Sequence, residues 1–401
     1  MSLPISYKDV TDALVRIRKG LPITPVTQSL LFSEISGREV FIKWDNKFRS
    51  GAFKERGALN FLSALEPEQR KSGVCAASAG NHAQGVSLHA QSLQIPTTIV
   101  MPIYAPLVKI QAVERAGAEV VLEGENFDES LAYCLEVEKP KGKILIHAFD
   151  DPWIMAGQGT SALEILDQVP DLDSIIVPIG GGGLISGIAT AIKHQKPDVY
   201  VLGVQSQWAK SGGPKKSSNK LGPFTTTIAD GIAVKTIGSL NRQVIDALVD
   251  DVVTVTEDDI ARAIVKYLEA EKTVVEGAGA AALAALLANA LPARYKRTVL
   301  LACGSNIDMN LLSTLIQRDL VERGRWLRYT ISVPDRPGLL SSISGLLASE
   351  SANIMDVRHN RFAAIPGHVE MEFLVEVRNA DHGKKILKMF ADKGVTVVES
   401  N

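Results

Sequence analysis

Short β-rich apolar runs alternate with amphipathic helical stretches through about the first 320 residues of the chain. The predicted strands are Val74–Ala77, Thr97–Met101, Val120–Leu122, Lys143–His147, Ser174–Ile179 and Val199–Val204. Helical patterns between them include Asn81–Leu93, Leu107–Ala116 and Gly182–His194. This alternation is typical of parallel sheets covered by helices on both faces, on which ligands gather at the loops after the strands. We therefore expect an α/β fold with its functional residues in such loops.

A different pattern begins near Trp326, where apolar and polar residues alternate with a period of two. A turn at Pro334–Gly338 follows, and then apolar residues at helical spacing from Leu339 to Leu347. The remaining patterns are a strand at Ile354–Asn360, a strand at Glu370–Val377, a helix at Asp381–Lys393 and a strand at Val395–Val398. The order βαββαβ predicts a ferredoxin-like unit. We place the domain boundary at Arg323–Arg325, which separates residues 1–322 from residues 326–401.

Composition excludes several classes of protein. The chain has 43 Lys and Arg against 45 Asp and Glu, a net charge of −2, so it lacks the basic excess of a nucleic-acid or anionic-membrane binder. No signal-peptide pattern opens the sequence, and the apolar run Ala278–Leu291 is too short to span a bilayer, which favours a buried helix. Three cysteines without a CxxC pair indicate a reducing compartment, and we expect a cytoplasmic protein.

Four consecutive glycines, Gly180–Gly183, follow the predicted strand Ser174–Ile179 and precede a helical pattern. Backbone N–H groups of glycines at a helix N-terminus can bind an anion. The segment lacks the Lys-Ser/Thr pair of a Walker A loop and the third glycine of a dinucleotide-binding GxGxxG motif. We interpret it as a site for a compact phosphate; the alternative is a glycine-rich turn that only packs the helix on the strand.

A second loop, Ser78–His82, also joins a predicted strand to a predicted helix. Ser78 and Asn81 can cap the helix while its free N–H groups receive a carboxylate, and capping alone is the alternative. A hydrolase with Ser78 on a GxSxG-like turn is disfavoured, because it also needs an acid and a histidine downstream in a recognisable context.

Lys54 and Cys303 complete the candidate chemistry. Lys54 follows Phe53, lies beside small residues and precedes an apolar helical pattern. A partly desolvated lysine has a lowered pKa and can form a Schiff base with an aldehyde, although a solvated surface lysine is the ordinary alternative. Cys303 ends a strand pattern and is either an inert buried thiol or a neutral partner for the ring nitrogen of a ligand.

A reactive lysine, a carboxylate loop, a phosphate loop and a small polar residue at a strand end together match pyridoxal 5′-phosphate. That cofactor has an aldehyde, a ring hydroxyl, a phosphate and a pyridine nitrogen. The sequence resembles the threonine dehydratase (threonine ammonia-lyase) family of fold type II pyridoxal phosphate enzymes. The segments that carry the resemblance are Ser50–Lys54, Ser78–His82, Gly180–Leu184, Ala229–Val234, Glu276–Gly279 and Cys303–Asn306. The tail resembles a single ACT-type amino-acid-sensing domain, most clearly at Asp335–Leu339.

The resemblance implies a catalytic domain of two parallel-sheet subdomains, the smaller one (about residues 50–148) inserted in the larger. It assigns the cofactor to Lys54 through a Schiff base, to Phe53 near the ring and to Asn81 at the ring hydroxyl. The implied phosphate cradle consists of Gly180, Gly181, Gly182, Gly183 and Leu184. Cys303 faces the pyridine nitrogen, where the family usually has serine. The implied substrate carboxylate site consists of Ser78, Ala79, Gly80, Asn81 and His82, and the implied regulatory residues are Asp335, Gly338, Leu339 and Asn353.

The implied reaction converts L-threonine to 2-oxobutanoate and ammonia, and L-serine to pyruvate and ammonia. Ala79 stands where related serine racemases carry serine, which disfavours racemisation, and Gln205 and Ser211 stand where metal-binding relatives carry acids, so we expect no divalent metal. The alternatives are another β-eliminase, a serine racemase-like enzyme, and an amino-acid sensor with a vestigial catalytic domain. The tail implies isoleucine or valine as effector at paired ACT units, hence a homo-oligomer, dimer or tetramer, and favours isoleucine synthesis over threonine breakdown.

Overall fold

The computed structural model describes residues 3–213, 225–360 and 366–400. Within these ranges the chain forms two compact units, divided between Ile307 and Asp308. The structure therefore groups the helix Met309–Glu322 with the second unit, whereas a boundary at residues 322–326 leaves it with the first. Among the described residues, no helix combines the length and the apolar character that crossing a membrane requires.

The first unit contains two sheets. Its strands are β1 (Val26–Gln28), β2 (Glu39–Lys43), β3 (Val74–Ala77), β4 (Thr97–Met101), β5 (Glu119–Leu122), β6 (Ile144–Leu145), β7 (Ser174–Pro178), β8 (Tyr200–Ser206), β9 (Asp251–Val255) and β10 (Arg297–Leu301). The larger sheet has the order β1-β2-β10-β7-β8-β9 and is parallel except where β1 pairs with β2. The smaller sheet, β5-β4-β3-β6, is parallel throughout. The predicted α/β class with two parallel sheets is confirmed, with an antiparallel edge strand added.

Helices cover both sheets. Those of the first unit are α1 (Tyr7–Ile17), α2 (Leu30–Ser36), α3 (Lys54–Ala64), α4 (Pro67–Ser72), α5 (Asn81–Ser92), α6 (Leu107–Arg115), α7 (Phe127–Tyr133), α8 (Pro152–Gln168), α9 (Gly183–Gln195), α10 (Ser239–Leu248), α11 (Glu257–Glu271) and α12 (Gly277–Leu287). The Ala-rich run predicted as a buried helix is α12, which is buried on all sides from Gly277 to Leu286. Sequence-encoded caps fix other helix starts: Asp151 accepts from two N–H groups of α8, and Thr256 forms a capping box with Asp259 on α11.

The central strands were predictable because they are buried on both faces and read as continuous apolar runs. Every residue of β3, β4 and β7 is buried. The core of the smaller sheet packs Val74, Ile99 and Met101 against Ala58 and Leu62 of α3. Helix α3, which begins at Lys54, is therefore held in place by a close-packed core.

The second unit contains a ferredoxin-like fold. After α13 (Met309–Glu322), its elements are β11 (Trp326–Pro334), α14 (Leu339–Ser349), β12 (Asn353–Asn360), β13 (His368–Glu376), α15 (Ala380–Asp392) and β14 (Val397–Ser400). The sheet order is β12-β13-β11-β14, and neighbouring strands are antiparallel. Alternate residues of β11 and β13, including Tyr329, Ile331 and Phe373, form the core. The predicted βαββαβ order is confirmed.

Candidate active site

A cavity of about 490 Å³ in the first unit gathers the loops that sequence analysis singled out. Its wall includes Lys54, Phe53, the Ser78–His82 loop, the Gly180–Leu184 loop and Cys303. These residues follow β3, β7 and β10 or begin α3, so three parallel strands deliver their C-terminal loops to one place. The predicted regulatory residues belong to the second unit, where Asp335 and Gly338 lie between β11 and α14, Leu339 begins α14 and Asn353 begins β12.

Lys54 is the first residue of α3, and its side chain enters the cavity. The Nζ atom donates a hydrogen bond to the carbonyl oxygen of Ala148 at 2.8 Å and lies 5.2 Å from the centre of the Phe53 ring. Burial lowers the pKa of Lys54 to about 8, although Cys303 and Glu276 act in the opposite direction. An appreciable fraction of this amine is therefore neutral near neutral pH, as a nucleophile or a base requires.

The Ser78–His82 loop presents the N-terminus of α5 to the cavity. Ser78 Oγ accepts from the N–H of Gly80 at 3.1 Å, which holds the turn, and a Cβ added at Gly80 would meet nothing within 4 Å. The His82 imidazole anchors the loop, because its Nε2–H donates to the Ile146 carbonyl at 3.1 Å, and burial lowers its pKa to about 3. The loop thus offers backbone N–H groups and a helix dipole to an anion, with a neutral imidazole anchoring it.

The Gly180–Gly183 loop presents a second helix N-terminus, that of α9. A Cβ at Gly181 would lie 2.2 Å from the Phe149 ring, and one at Gly182 would lie 2.8 Å from Asn241, with Gly182 at φ +100°. Side chains are therefore excluded at Gly181 and Gly182, and the bare backbone of the loop can approach an anion in the cavity closely.

Cys303 and Asn81 contribute neutral groups. The Cys303 thiol is buried at the end of β10, and burial together with Glu276 raises its pKa well above the ordinary value, so the thiol stays protonated. Asn81 donates from Nδ2 to Glu276 Oε1 at 2.8 Å and accepts at Oδ1 from Asn306 Nδ2 at 2.7 Å. Asn306 was not assigned a role by sequence analysis, although it ends the quoted segment Cys303–Asn306.

Two ion pairs at the mouth of the cavity were also missed, although Asp230 lies in the quoted segment Ala229–Val234. Lys109 pairs with Asp230 at 2.9 Å, and Lys235 pairs with Asp128 at 2.9 Å. Each pair joins a residue near the smaller sheet to the segment around Asp230–Lys235. No local pattern marks these residues, because more than 100 positions separate the partners.

Neutral side chains occupy the C-terminal end of β8 and the segment that follows it. Gln205 Nε2 donates to Ser211 Oγ at 2.6 Å and to the Gly212 carbonyl at 2.9 Å, and Ser211 Oγ donates to the Gly180 carbonyl at 3.0 Å. This network ties the strand end directly to the glycine loop. Across the described residues, no cluster of three or more His, Cys, Asp or Glu side chains is suited to a metal ion.

The donor set fits pyridoxal phosphate: a buried amine for the aldehyde, an anion-binding helix start for the phosphate, an amide for the hydroxyl and a neutral thiol for the ring nitrogen. Fold and site together define a pyridoxal-phosphate enzyme. Residues 17–304 match the family described as "Pyridoxal-phosphate dependent enzyme", and the chain belongs to that family.

Three relatives place the chain within the family. An L-threonine ammonia-lyase of Thermotoga maritima is 41% identical over 397 residues, which are 98% of this chain and 99% of that protein. The L-threonine dehydratase catabolic TdcB of Escherichia coli (strain K12) is 42% identical over 317 residues, 78% of this chain and 96% of that protein. The solved structure of maize serine racemase superposes with a TM-score of 0.74 at 34% identity, and covers 80% of this chain and 99% of that one.

Proposed function

We propose that this chain is a threonine ammonia-lyase, which converts L-threonine to 2-oxobutanoate and ammonia and accepts L-serine, yielding pyruvate and ammonia. The observation that supports this function most strongly is the buried Lys54 amine in a cavity that is also lined by the N-termini of two helices. The near full-length match to an L-threonine ammonia-lyase supports the substrate.

The residues that would hold the cofactor follow from the cavity wall. Lys54 would bond the aldehyde, Gly180–Leu184 the phosphate, Asn81 the ring hydroxyl, and Cys303 would face the ring nitrogen, with Phe53 beside the ring. When bound, pyridoxal phosphate supplies the electron sink that allows the Cα–H bond of an amino acid to break.

The chain's own residues bind the substrate and move its protons. The N–H groups of Ser78–His82 would receive the substrate carboxylate, since an anion is stabilised at a helix N-terminus. Once the amino group of the substrate has displaced Lys54 from the cofactor aldehyde, the freed Lys54 amine, with its pKa lowered to about 8, would take the Cα proton. The β-hydroxyl leaves as water, and hydrolysis of the remaining nitrogen-bearing product yields the 2-oxo acid and ammonia.

A serine racemase-like activity is the second candidate, supported by the likeness to maize serine racemase. A racemase needs a proton donor on the face of Cα opposite the base. Ala79 lines the cavity at the position where the related racemases carry serine, and its methyl group has no proton to give. This favours elimination over racemisation.

For the second unit we propose an ACT-like regulatory domain that binds isoleucine or valine in a homo-oligomer. Its βαββαβ order supports this, as do Asp335, Gly338, Leu339 and Asn353, of which the first two form the turn before α14. The catabolic relative matches only 78% of this chain with 96% of its own length, so a tail of this size distinguishes the two. A sensing tail suits isoleucine synthesis in the cytoplasm better than threonine breakdown.

The test uses the purified protein supplied with pyridoxal phosphate. The formation of 2-oxo acid is measured with L-threonine and with L-serine as substrates, and the formation of D-serine from L-serine is measured in parallel. We expect 2-oxobutanoate from L-threonine, no change on adding a chelator, and no turnover by Lys54→Ala. D-serine as the main product would favour the racemase. A protein that binds amino acids at its tail but turns over none of them would be a sensor with a vestigial site.

A further inference from the structure

Glu276 places a buried carboxyl group in the cavity wall that none of the steps above uses. The residue is the N-cap of α12 and is 3% exposed. Two glycines leave space for it: a Cβ at Gly304 would lie 2.0 Å from Glu276 Oε1, and one at Gly231 would lie 3.2 Å away. The Glu276 carboxyl group can therefore occupy this position only because residues 231 and 304 have no side chain.

Glu276 is held by N–H donors in a closed ring with two asparagines. Oε1 accepts from Asn81 Nδ2 at 2.8 Å, and Oε2 accepts from the backbone N–H of Asn306 at 3.1 Å. The Asn306 side chain closes the ring by donating to Asn81 Oδ1 at 2.7 Å. Lys109, in the same wall, forms its ion pair with Asp230.

The direction of these hydrogen bonds is fixed from outside the ring. Asn306 Nδ2 also donates to the backbone carbonyl of Ser50 at 2.7 Å, and a carbonyl can only accept. Asn81 must then turn its oxygen toward Asn306 and its nitrogen toward Glu276. An amide nitrogen has two N–H groups, so Asn81 can hold Glu276 with one and a ligand in the cavity with the other.

We propose that Glu276 is a positioning residue: by accepting from Asn81 it holds the amide, in the orientation that Asn306 sets, with one N–H directed to the cofactor, and the gain or loss of one proton on Glu276 changes how firmly it does so. This rests on the proposed function only for the identity of the ligand. An ionised Glu276 accepts both N–H groups in charge-assisted hydrogen bonds, whereas a protonated one accepts them more weakly.

The groups around Glu276 allow that proton to exchange near neutrality. Burial raises the pKa of Glu276 to about 7, and Asp230 acts in the same direction, while Asn81, Lys109 and Asn306 oppose it. Lys54 and Cys303 face the same space, and the Glu276 charge raises the pKa of both. The folded protein thus holds the Glu276 proton more tightly than an unfolded chain, and this contribution to stability is lost as pH rises from about 4.5 to about 7.

Glu276→Gln tests the proposal because it keeps the size of the side chain, removes the exchangeable proton and sets an NH₂ group against one of the two donors. The melting temperature of the cofactor-free variant, minus that of the wild type, should rise by a few degrees between pH 5 and pH 8. A uniform packing loss lowers this difference equally at all pH values. The dissociation constant for pyridoxal phosphate at pH 8 should increase about tenfold, the size expected for one lost hydrogen bond to a charged group.

Two further variants complete the test. Glu276→Asp retains the proton but is shorter, so it should keep the pH dependence of the wild type and still bind pyridoxal phosphate more weakly. Glu271→Gln is the matched control, because that carboxylate bonds Ser29 outside the cavity, and both of its curves should parallel the wild type.

A melting-temperature difference that is constant across the pH range, or wild-type affinity for pyridoxal phosphate in both Glu276 variants, would overturn the proposal. Neither measurement needs turnover. A protein that binds pyridoxal phosphate but leaves L-threonine intact would refute the proposed function and leave the role of Glu276 decided by these data.

Discussion

A neutral group at the end of β10 distinguishes this site from one built to keep a ring nitrogen protonated. The buried Cys303 thiol has a raised pKa and carries no charge. Serine is also small, neutral and able to hydrogen-bond, so we expect Cys303→Ser to keep kcat for L-threonine within about threefold of the wild type.

Cys303→Asp is the contrasting variant. It adds a carboxylate to a buried site that already holds Glu276, and we expect kcat to fall at least about tenfold. Steady-state kinetics and the absorbance spectrum of the bound cofactor measure both effects. A larger loss in the serine variant than in the aspartate variant would contradict the role of Cys303 as a neutral partner.

At the scale of elements, the glycine loop depends on Phe149. An alanine at residue 181 places its Cβ 2.2 Å from that ring, so the loop or the ring must move. We expect Gly181→Ala to weaken pyridoxal phosphate binding at least about tenfold, because overpacking typically costs about 1–3 kcal/mol and about 1.4 kcal/mol of lost binding energy is tenfold in affinity. Fluorescence titration checks this, and Gly181→Ala with Phe149→Leu should recover part of the affinity.

Gly345→Ala is the control, because an added Cβ there meets nothing within 4 Å on a helix with ordinary backbone angles. Equal affinities for Gly181→Ala and Gly345→Ala would show that the close approach to Phe149 does not shape the loop.

A buried ionic cluster fixes α3, two residues beyond Lys54. Arg56 forms paired hydrogen bonds with Asp45 at 2.8 and 3.0 Å and with Glu164 at 2.7 and 2.8 Å, and Lys43 reaches Glu164 at 2.6 Å. Arg56→Leu leaves two buried carboxylates with one cation, and we expect a loss of about 3–5 kcal/mol in the free energy of unfolding.

Urea denaturation measures that loss. The matched control is Lys71→Ala, which breaks the exposed Lys71–Glu68 pair and should leave the midpoint unchanged. Similar midpoints for the two variants would show that the buried cluster does not anchor the helix.

At the scale of the whole molecule, the proposed regulatory unit makes a kinetic prediction. Isoleucine or valine should lower the rate at subsaturating L-threonine by at least about fivefold, the lower range of an allosteric coupling. Gly338, the residue before α14, has φ +83°, where a branched side chain is strained, so Gly338→Val should bring the rate ratio with and without isoleucine toward one. Velocity curves indifferent to both amino acids would refute the regulatory proposal.

Local sequence patterns predicted the strands and helices in which burial follows one regular pattern from the first residue to the last. Strands β3 and β4 match their predicted bounds because both faces are buried, and the alternation in β11 identified a half-buried strand. β2 was missed, since its last residue, Lys43, is a fully buried cation whose partner Glu164 lies 121 positions away.

The distance in sequence between partner residues also explains which parts of the site could be predicted. Its glycine, asparagine and lysine loops carry local signatures, whereas the ring of Asn81, Glu276 and Asn306 and the ion pairs at the cavity mouth exist only once distant segments meet. Sequence therefore predicts the groups that contact a ligand better than the groups that orient them.

The most direct test asks whether Lys54 carries the cofactor and whether the reaction depends on it. The holoprotein is treated with borohydride, which reduces a Schiff base to a stable amine, and the modified residue is located by peptide mass spectrometry. The same samples are assayed for 2-oxobutanoate formation from L-threonine. We expect modification at Lys54 and a loss of activity in proportion to it. Modification of a different lysine, or full activity in protein modified at Lys54, would contradict the account.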